Sequence, residues 1–504
     1  MKHFIHATVV ALLALLACAC SKSDNGGYPL GTKYLPVKLQ GTNKWSIVDI
    51  TTGKLVVMNA FKNPPSSVID DMFFVMNDAG TYDYYNISNP TKPINGTHYG
   101  SVTYFSTDGY AIASVKGGPL TVIDKQGNAV KALSNEIAEA TMFNHGRAVV
   151  RTDQNRCGYV TKQGDTAFSV DLDNAAAFLY DNVAIVTREM QDSAYDITGI
   201  DPDGKELFSL SSTEYGVISP YFCNGVMPLQ KGDSVVCIDR SGKEVPNPDA
   251  VPDTIKNAHY QNGHLTNAGY YIVVNDGKVG MVDHNNQVMI PIKYKQVIDV
   301  SADRYIVAAD STYSLVDQNG KAVGGLKFEA FQMPNTDMSA LRGFIDVDLV
   351  AANLMTMFND THVCGAQNGS TLMDLNNLVG SDPNAYMGIN YAQQQMGALT
   401  ISYFFDRDIA SLGAGGLPQF NLDAKISAVS MDYDLKQCAN GIEDEMLRKI
   451  SSALGTNGFV LGEGGIFTSE AGTAISMGYS DGIFKIAYFM NTADAQPLPR
   501  QARK

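Results

Sequence analysis

The sequence predicts a mainly β protein: an array of about eight short repeats followed by a small α+β domain. Two observations carry this prediction. A turn motif recurs through residues 35–334 at a period near 38, and beyond Pro334 the apolar spacing changes from about two to about 3.6. A third is compositional: a chain of 504 residues with 45% apolar and 18% charged side chains has enough apolar surface to pack such an array.

The first residues are of another kind. "MKHFIHATVVALLALLACAC" carries Lys2 and then an apolar run from Ala7 to Ala17, too short to span a bilayer. It ends in "LLAC", Leu15 to Cys18, which resembles the lipobox of bacterial lipoproteins. That resemblance implies a signal peptide over residues 1–17 and lipid attachment at Cys18, with Cys20 of "ACAC" as the alternative. It also implies a place in the bacterial cell envelope, anchored by lipid, with the outer membrane expected and either its periplasmic or its outer side open. Residues 18–34, which include "SKSDNGG", read as a flexible tether.

The repeats begin near residue 35. "SIVDITTGKLVV" at Asp49, "LTVIDKQGNAV" at Asp124, "TGIDPDGKELF" at Asp201, "VVCIDRSGKEV" at Asp239, "GMVDHNNQVMI" at Asp283 and "SLVDQNGKAV" at Asp317 share one plan. A β-branched run precedes an Asp, a tight turn follows, and a second apolar run completes a hairpin. Weaker copies fall at Ser88 and Thr161, and the successive spacings are 39, 36, 37, 40, 38, 44 and 34. A further strand, often led by Gly or Asn, precedes each turn, as in "DGYAIASV", "HGRAVVRT" and "NGVMPLQ", so each unit supplies three or four short antiparallel strands. One such sheet cannot bury both faces and must stack on its neighbours. Radial stacking gives a β-propeller, and linear stacking, the alternative, gives a β-solenoid. Asp201 and Asp203 look like the opening of a calcium loop, but the later acidic ligands are missing, so they read as turn residues.

Four segments, "CGYVTKQGD", "TGIDPDGKE", "KWSIVDITTGK" and "VGMVDHNNQVMIPIKY", resemble degenerate WG repeats. The resemblance covers about residues 35–335, with Gly158, Gly199 and Gly280 in unit cores and a single Trp, Trp45, followed by Ser where the pattern has Gly. That family is defined by its repeat and not by a catalytic site. It implies a binding or scaffolding role and no functional residue.

The C-terminal domain is expected over residues 335–495, with a polar tail at 496–504. A helix is predicted through "ALRGFIDVDLVAANLMTMF", a polar loop over Asn368–Asn384, strands in "GALTISYFF" and "KISAVSMDYDL", a second helix in "IEDEMLRKISSALG" with Gly455 at its C′ position, and closing strands in "GFVLGEGGIFT", "GTAISMGYS" and "GIFKIAYFM".

The net charge of −15 excludes a phosphate-neutralising stripe, so nucleic acid is not an expected partner, and it argues against polybasic docking on anionic lipid. The five cysteines after the N-terminal segment show no C-x-x-C pair and read mostly as small buried hydrophobes; Cys223 and Cys237 could face each other on neighbouring strands. The glycine-rich "LGEGGIF" and "LGAGGLP" read as hairpin turns. The carboxylate pairs Asp346/Asp348, Asp406/Asp408 and Asp432/Asp434 read as solvated edges, and His145, His259, His264, His284 and His362 as isolated. No catalytic residue, cofactor or metal is therefore assigned. The expected function is that of a lipid-anchored envelope protein whose repeats bind or scaffold a protein or glycan partner. The alternative is an envelope hydrolase with an acidic site in the funnel of the array or at the domain junction.

Overall fold

A computed structural model describes most of residues 33–501; residues 333–349, 351–361, 380–385, 413–417 and 436–441 are the longest internal stretches outside it. Cys18 and Cys20 precede the described residues, and Cys223 lies outside them.

The repeat region is a closed ring of small antiparallel sheets. Five sheets have four strands each, hydrogen-bonded in chain order, and a sixth has three: Met72–Met76, Tyr82–Asn86 and Asn89–Pro93. The unit around Asp201 is typical, with strands a to d at Asn174–Ala175, Ala184–Glu189, Tyr195–Ile200 and Glu206–Ser211. Besides these six free-standing blades there is one seven-stranded sheet, in which the last unit meets the first. There Phe328–Phe331 lies against Tyr34–Leu39, with Val37 opposite Phe331 and Lys38 opposite Ala330. Only the pair Tyr313 and Phe328 joins that strand to the last unit, so the sheet divides there into two blades and all eight sequence units are accounted for. The array is thus a propeller. The solenoid alternative fails because its two ends would have to stand apart, whereas here they share a sheet.

Packing between blades is apolar and continuous with this order. Trp45, Ile47 and Phe61 of the first unit pack on Phe73 and Val75 of the second. Tyr84 meets Phe105 of the third edge to face, with centroids 4.9 Å apart. Ile306 and Leu315 of the last unit share a cluster with Leu35 and Val48 of the first. Burying one such side chain contributes about 1.5–3 kcal/mol. Phe105, Phe143, Phe178 and Phe222, each just before a b strand, are fully buried and form a second signature of the repeat.

The c–d turns explain the motif. Asp201 Oδ1 accepts from the N–H groups of Asp203 (3.0 Å) and Lys205 (2.9 Å), and Asp124, Asp239, Asp283 and Asp317 bond to residues two and four further on in the same way. In the second unit Asn86 fills this place and accepts from Ser88 N at 2.9 Å, so the weak copy belongs at Asn86. The first two spacings then become 37 and 38. Positive-φ glycines of these turns press on the preceding blade. A Cβ at Gly127 would lie on Asn95, at Gly164 on Lys131, at Gly204 on Phe168, at Gly242 on Phe208, and at Gly53 on Gly324 of the last unit.

The C-terminal domain is an eight-stranded antiparallel sheet. Its order is Tyr386–Met387, Tyr391–Met396, Leu399–Phe405, Ile426–Asp434, Ile483–Phe489, Ala474–Ser480, Ile466–Thr468 and Val460–Leu461. The described helices are α1 (Asp253–Lys256, in the ring), α2 (Leu372–Val379) and α3 (Ile442–Thr456). The predicted helix at 340–358 falls outside the described residues except for Val350, which is helical and buried. The polar loop expected over Asn368–Asn384 is partly a helix, α2. Thr371 and Asp374 cap it reciprocally, Thr371 N donating to Asp374 Oδ2 at 2.8 Å and Asp374 N to Thr371 Oγ1 at 3.4 Å. Gly455 is inside α3, and the left-handed residue after the helix is Gly458, at φ +83°. At the polar tail, Tyr479 N donates to Pro499 O at 2.9 Å and Gln501 N to Tyr479 O at 2.7 Å.

α3 joins the two parts. Ile442, Met446, Ile450 and Leu454 repeat every four residues and enter the C-terminal core, which also takes Ile218 of the ring. Glu445, Lys449, Ser452 and Thr456 are buried as well, and α3 also touches Asn262–Leu265 and Tyr271–Asn275 of the seventh unit. In an antiparallel blade the b–c turns and d–a crossings share one end. The C-terminal domain is seated on that end of the later units.

Candidate functional site

Two polar recesses stand out among the described residues. The larger, about 330 Å³, opens on the C-terminal domain between Asn368, Gly369, Asp406, Lys425, Ser427, Gly472, Met490, Asn491 and Asp494. Backbone bonds bring its walls together: Met490 N donates to Ser427 O at 3.0 Å, and Thr492 N to Gly472 O at 2.9 Å. Asp406 follows the strand Leu399–Phe405, and its oxygens accept from Arg407 Nε (3.0 Å), Arg407 Nη2 (2.8 Å) and Lys425 N (2.9 Å). The Arg407 guanidinium, assisted by the Lys425 N–H, holds the Asp406 carboxyl down to about 2. Asn491 Oδ1 accepts from Ala493 N at 3.0 Å, which fixes that turn, and Asp494 is exposed beside it.

The smaller recess, about 40 Å³, lies at the junction of the two parts. Gln296, Lys295, Lys278, Ala308 and Tyr313 come from the ring, and Asn457, Gly458 and Glu470 from the C-terminal domain. Gln296 Nε2 reaches Asn457 O at 3.5 Å, and Lys295 Nζ lies 3.3 Å from Glu470 Oε2.

Both recesses are lined mainly by polar groups. Neither lining includes a histidine. Two carboxylates, Asp406 and Asp494, are among the lining of the larger recess, and a glycoside hydrolase requires a pair at a set distance. The Arg407 guanidinium favours the ionised state of Asp406, in which its oxygens only accept hydrogen bonds. The amides, the hydroxyl and the acids of this lining are suited to holding hydroxyl groups.

Other residues singled out in the sequence are dispersed. Asp346 and Asp348 lie outside the described residues. Asp408 is exposed, and Asp432 is paired with Lys485 at 3.0 Å. His145, His259 and His284 are exposed at separate places on the ring. Asp203 is largely exposed and lies 3.6 Å from Arg147 Nη2. Among the described residues no three His, Cys, Asp or Glu side chains gather as a metal site. Cys157 and Cys237 are buried, and burial pushes the Cys157 thiol up to about 11. No sequence signal marks His98, whose Nδ1 sits 2.5 Å from buried Asp83 in the second unit. Nor does any reveal Gln296 and Asn457, two amides far apart in the chain.

No family model matches the chain, and no curated protein matches it. Similar solved structures include the eukaryotic initiation factor (8% identity over 60% of this chain and 98% of that one, TM-score 0.34). BamB from Moraxella catarrhalis is another (11%, 59% and 96%, TM-score 0.28). A third is the dihydro-heme d1 dehydrogenase NirN (11%, 60% and 75%, TM-score 0.30). At these scores none of them bears on what this chain does.

Proposed function

We propose that the chain is a lipid-anchored binding protein of the bacterial cell envelope, with WG-like repeats forming the ring and Cys18, or Cys20, carrying the lipid. A closed ring offers a rigid scaffold, and its partner is a glycan or a protein of the envelope. The observation that supports a binding role is the open recess of the C-terminal domain, which Asn368, Ser427, Asn491, Asp406 and Asp494 line with polar groups. Its size suits one sugar unit or one short polar loop.

The experiment has two arms. Fatty-acid labelling and detergent partitioning compare the full chain with Cys18→Ala, Cys20→Ala and the double change. The double change is expected to release the protein from membranes, and continued labelling of it sinks the anchor. Separately, the full chain and an Asp494→Asn, Asn491→Ala variant are incubated with purified envelope glycan and with an envelope protein fraction. Retention on one of them, weakened in the variant, is the expected result; no retention on either removes the binding role.

A further inference from the structure

We infer that the outer edge of the strand Ala474–Ser480 is a docking edge for an extended, basic, proline-containing segment of a partner protein, and that residues 495–501 hold it as a competitor built into the chain. The sheet register creates the edge. Ile466–Thr468 pairs with Ala474, Ile475 and Ser476 only, so among the described residues the sheet offers residues 477–480 no partner on that side. Residues 495–501 lie along this stretch: Tyr479 N donates to Pro499 O at 2.9 Å, Gln501 N to Tyr479 O at 2.7 Å, and Leu498 N to Ser476 Oγ at 3.1 Å. Main-chain bonds to a bare edge are also how an extended peptide adds itself to a sheet.

Three glycines make the room. A Cβ at Gly478 would lie 2.3 Å from Pro499 O and 2.6 Å from Leu498 Cβ, one at Gly465 2.9 Å from Arg500 Nη2, and one at Gly464 3.3 Å from Pro497 Cγ. Gly464 and Gly465 belong to "LGEGGIF", so that turn also forms a wall of the slot. The hold on the segment is thin. Pro497, Pro499, Arg500 and Gln501 are exposed. The bridge between Tyr479 and Arg500 is parallel, the weaker pairing, in a sheet whose strands otherwise pair antiparallel. Charge selects the partner. "AQPLPRQARK", residues 495–504, holds Arg500, Arg503 and Lys504 and no acid, while exposed Glu463 and Asp481 and the Tyr479-bonded Asp444 stand around the slot. Two copies of the chain, each at −15, repel one another, so a basic partner is favoured over a second copy.

The test uses the full chain and a labelled peptide of sequence AQPLPRQARK, followed by fluorescence anisotropy at low salt. In the parent protein the chain's own segment competes at an effective concentration on the order of millimolar, so uptake is weak. Pro497→Gly with Pro499→Gly loosens that segment without touching the edge and should tighten uptake about fivefold or more. Gly478 is not at positive φ, so Gly478→Ala only blocks the close approach. Added to the proline variant it should weaken uptake at least about tenfold, and in the parent it should speed tryptic cleavage after Arg500. The same peptide with Glu at its three basic positions should not bind. The inference is overturned if the proline variant takes up no more peptide than the parent, if uptake or slow cleavage survives Gly478→Ala, or if the acidic peptide binds equally. It is also overturned if the proline variant dimerises in place of taking the peptide, since the edge then serves a second copy. The open recess plays no part, so each of these failures leaves the proposed function standing.

Discussion

Replacing Gly204 by alanine tests how the blades are locked together. Gly204 sits in the c–d turn of the fifth unit at φ +80°, where an L side chain costs about 1 kcal/mol. Its added Cβ would lie 2.8 Å from Phe168 Cγ and 2.9 Å from Cδ1, on the outer strand of the preceding blade. Real carbon contacts are longer by more than half an ångström, so the ring must move, at a further cost of about 1–2 kcal/mol. Gly225 is the control: its φ is also +80°, and a Cβ there meets nothing within 4 Å. Gly204→Ala should therefore lose about 2–3 kcal/mol and Gly225→Ala about 1, the difference measuring the contact between blades. Urea denaturation of both variants beside the parent protein reads these values. Equal losses would show that Gly204 is required by its turn alone and that the blade-to-blade press contributes nothing.

Two further predictions follow from the same turns and from the open recess. Asp201→Ala with Asp203→Ala should cost about 1 kcal/mol through the two lost bonds at Asp201 Oδ1, with no change in any response to calcium; a calcium-dependent rise in melting temperature that this variant abolishes would restore an ion site. The Asp406 carboxyl is depressed below its ordinary value of 3.8, to about 2, chiefly by Arg407, so its stabilising contribution is present above about pH 4 and fades as pH falls through 2. NMR titration should find it ionised at pH 3, and Asp406→Asn should flatten the stability profile between those limits; a midpoint near 4 contradicts the Arg407 clamp.

The turn chemistry made the fold legible, because it is local. An Asp that bonds to the backbone two and four residues on, followed by a positive-φ Gly, writes the same few letters in unit after unit, and strand runs on either side confirm them. Ser88 was misplaced by two residues because Asn86 does the work of the Asp there. Three of the innermost strands carry no pattern, since Ser101–Val102, Asn174–Ala175 and Gly216–Val217 are only two residues each and their place is set by the ring. α2 looks like loop in sequence because Asn376, Asn377 and Gly380 make its segment polar, although Thr371 and Asp374 are spaced to cap it reciprocally. The recesses were out of reach for a different reason. Gln296 and Asn457 stand 161 residues apart, in different domains, and single amides carry no spacing signal.

The sheet that closes the ring also sets an order on folding. Val37 cannot meet Phe331 until about 290 further residues have been made, and long-range pairings of this kind are slow to form. A chain made from its N-terminus must hold its first unit without an innermost strand through the synthesis of seven others. During that interval the edge at Tyr34–Leu39, whose Leu35 and Val37 are fully buried in the closed ring, is a bare strand and a template for wrong partners. A ribosome that stalls, or a protease that cuts, between Asp317 and Phe328 therefore leaves the hairpins of all eight units with nothing to shut them. The few residues Phe328–Phe331 decide whether eight blades behave as one body or as a string of sticky fragments.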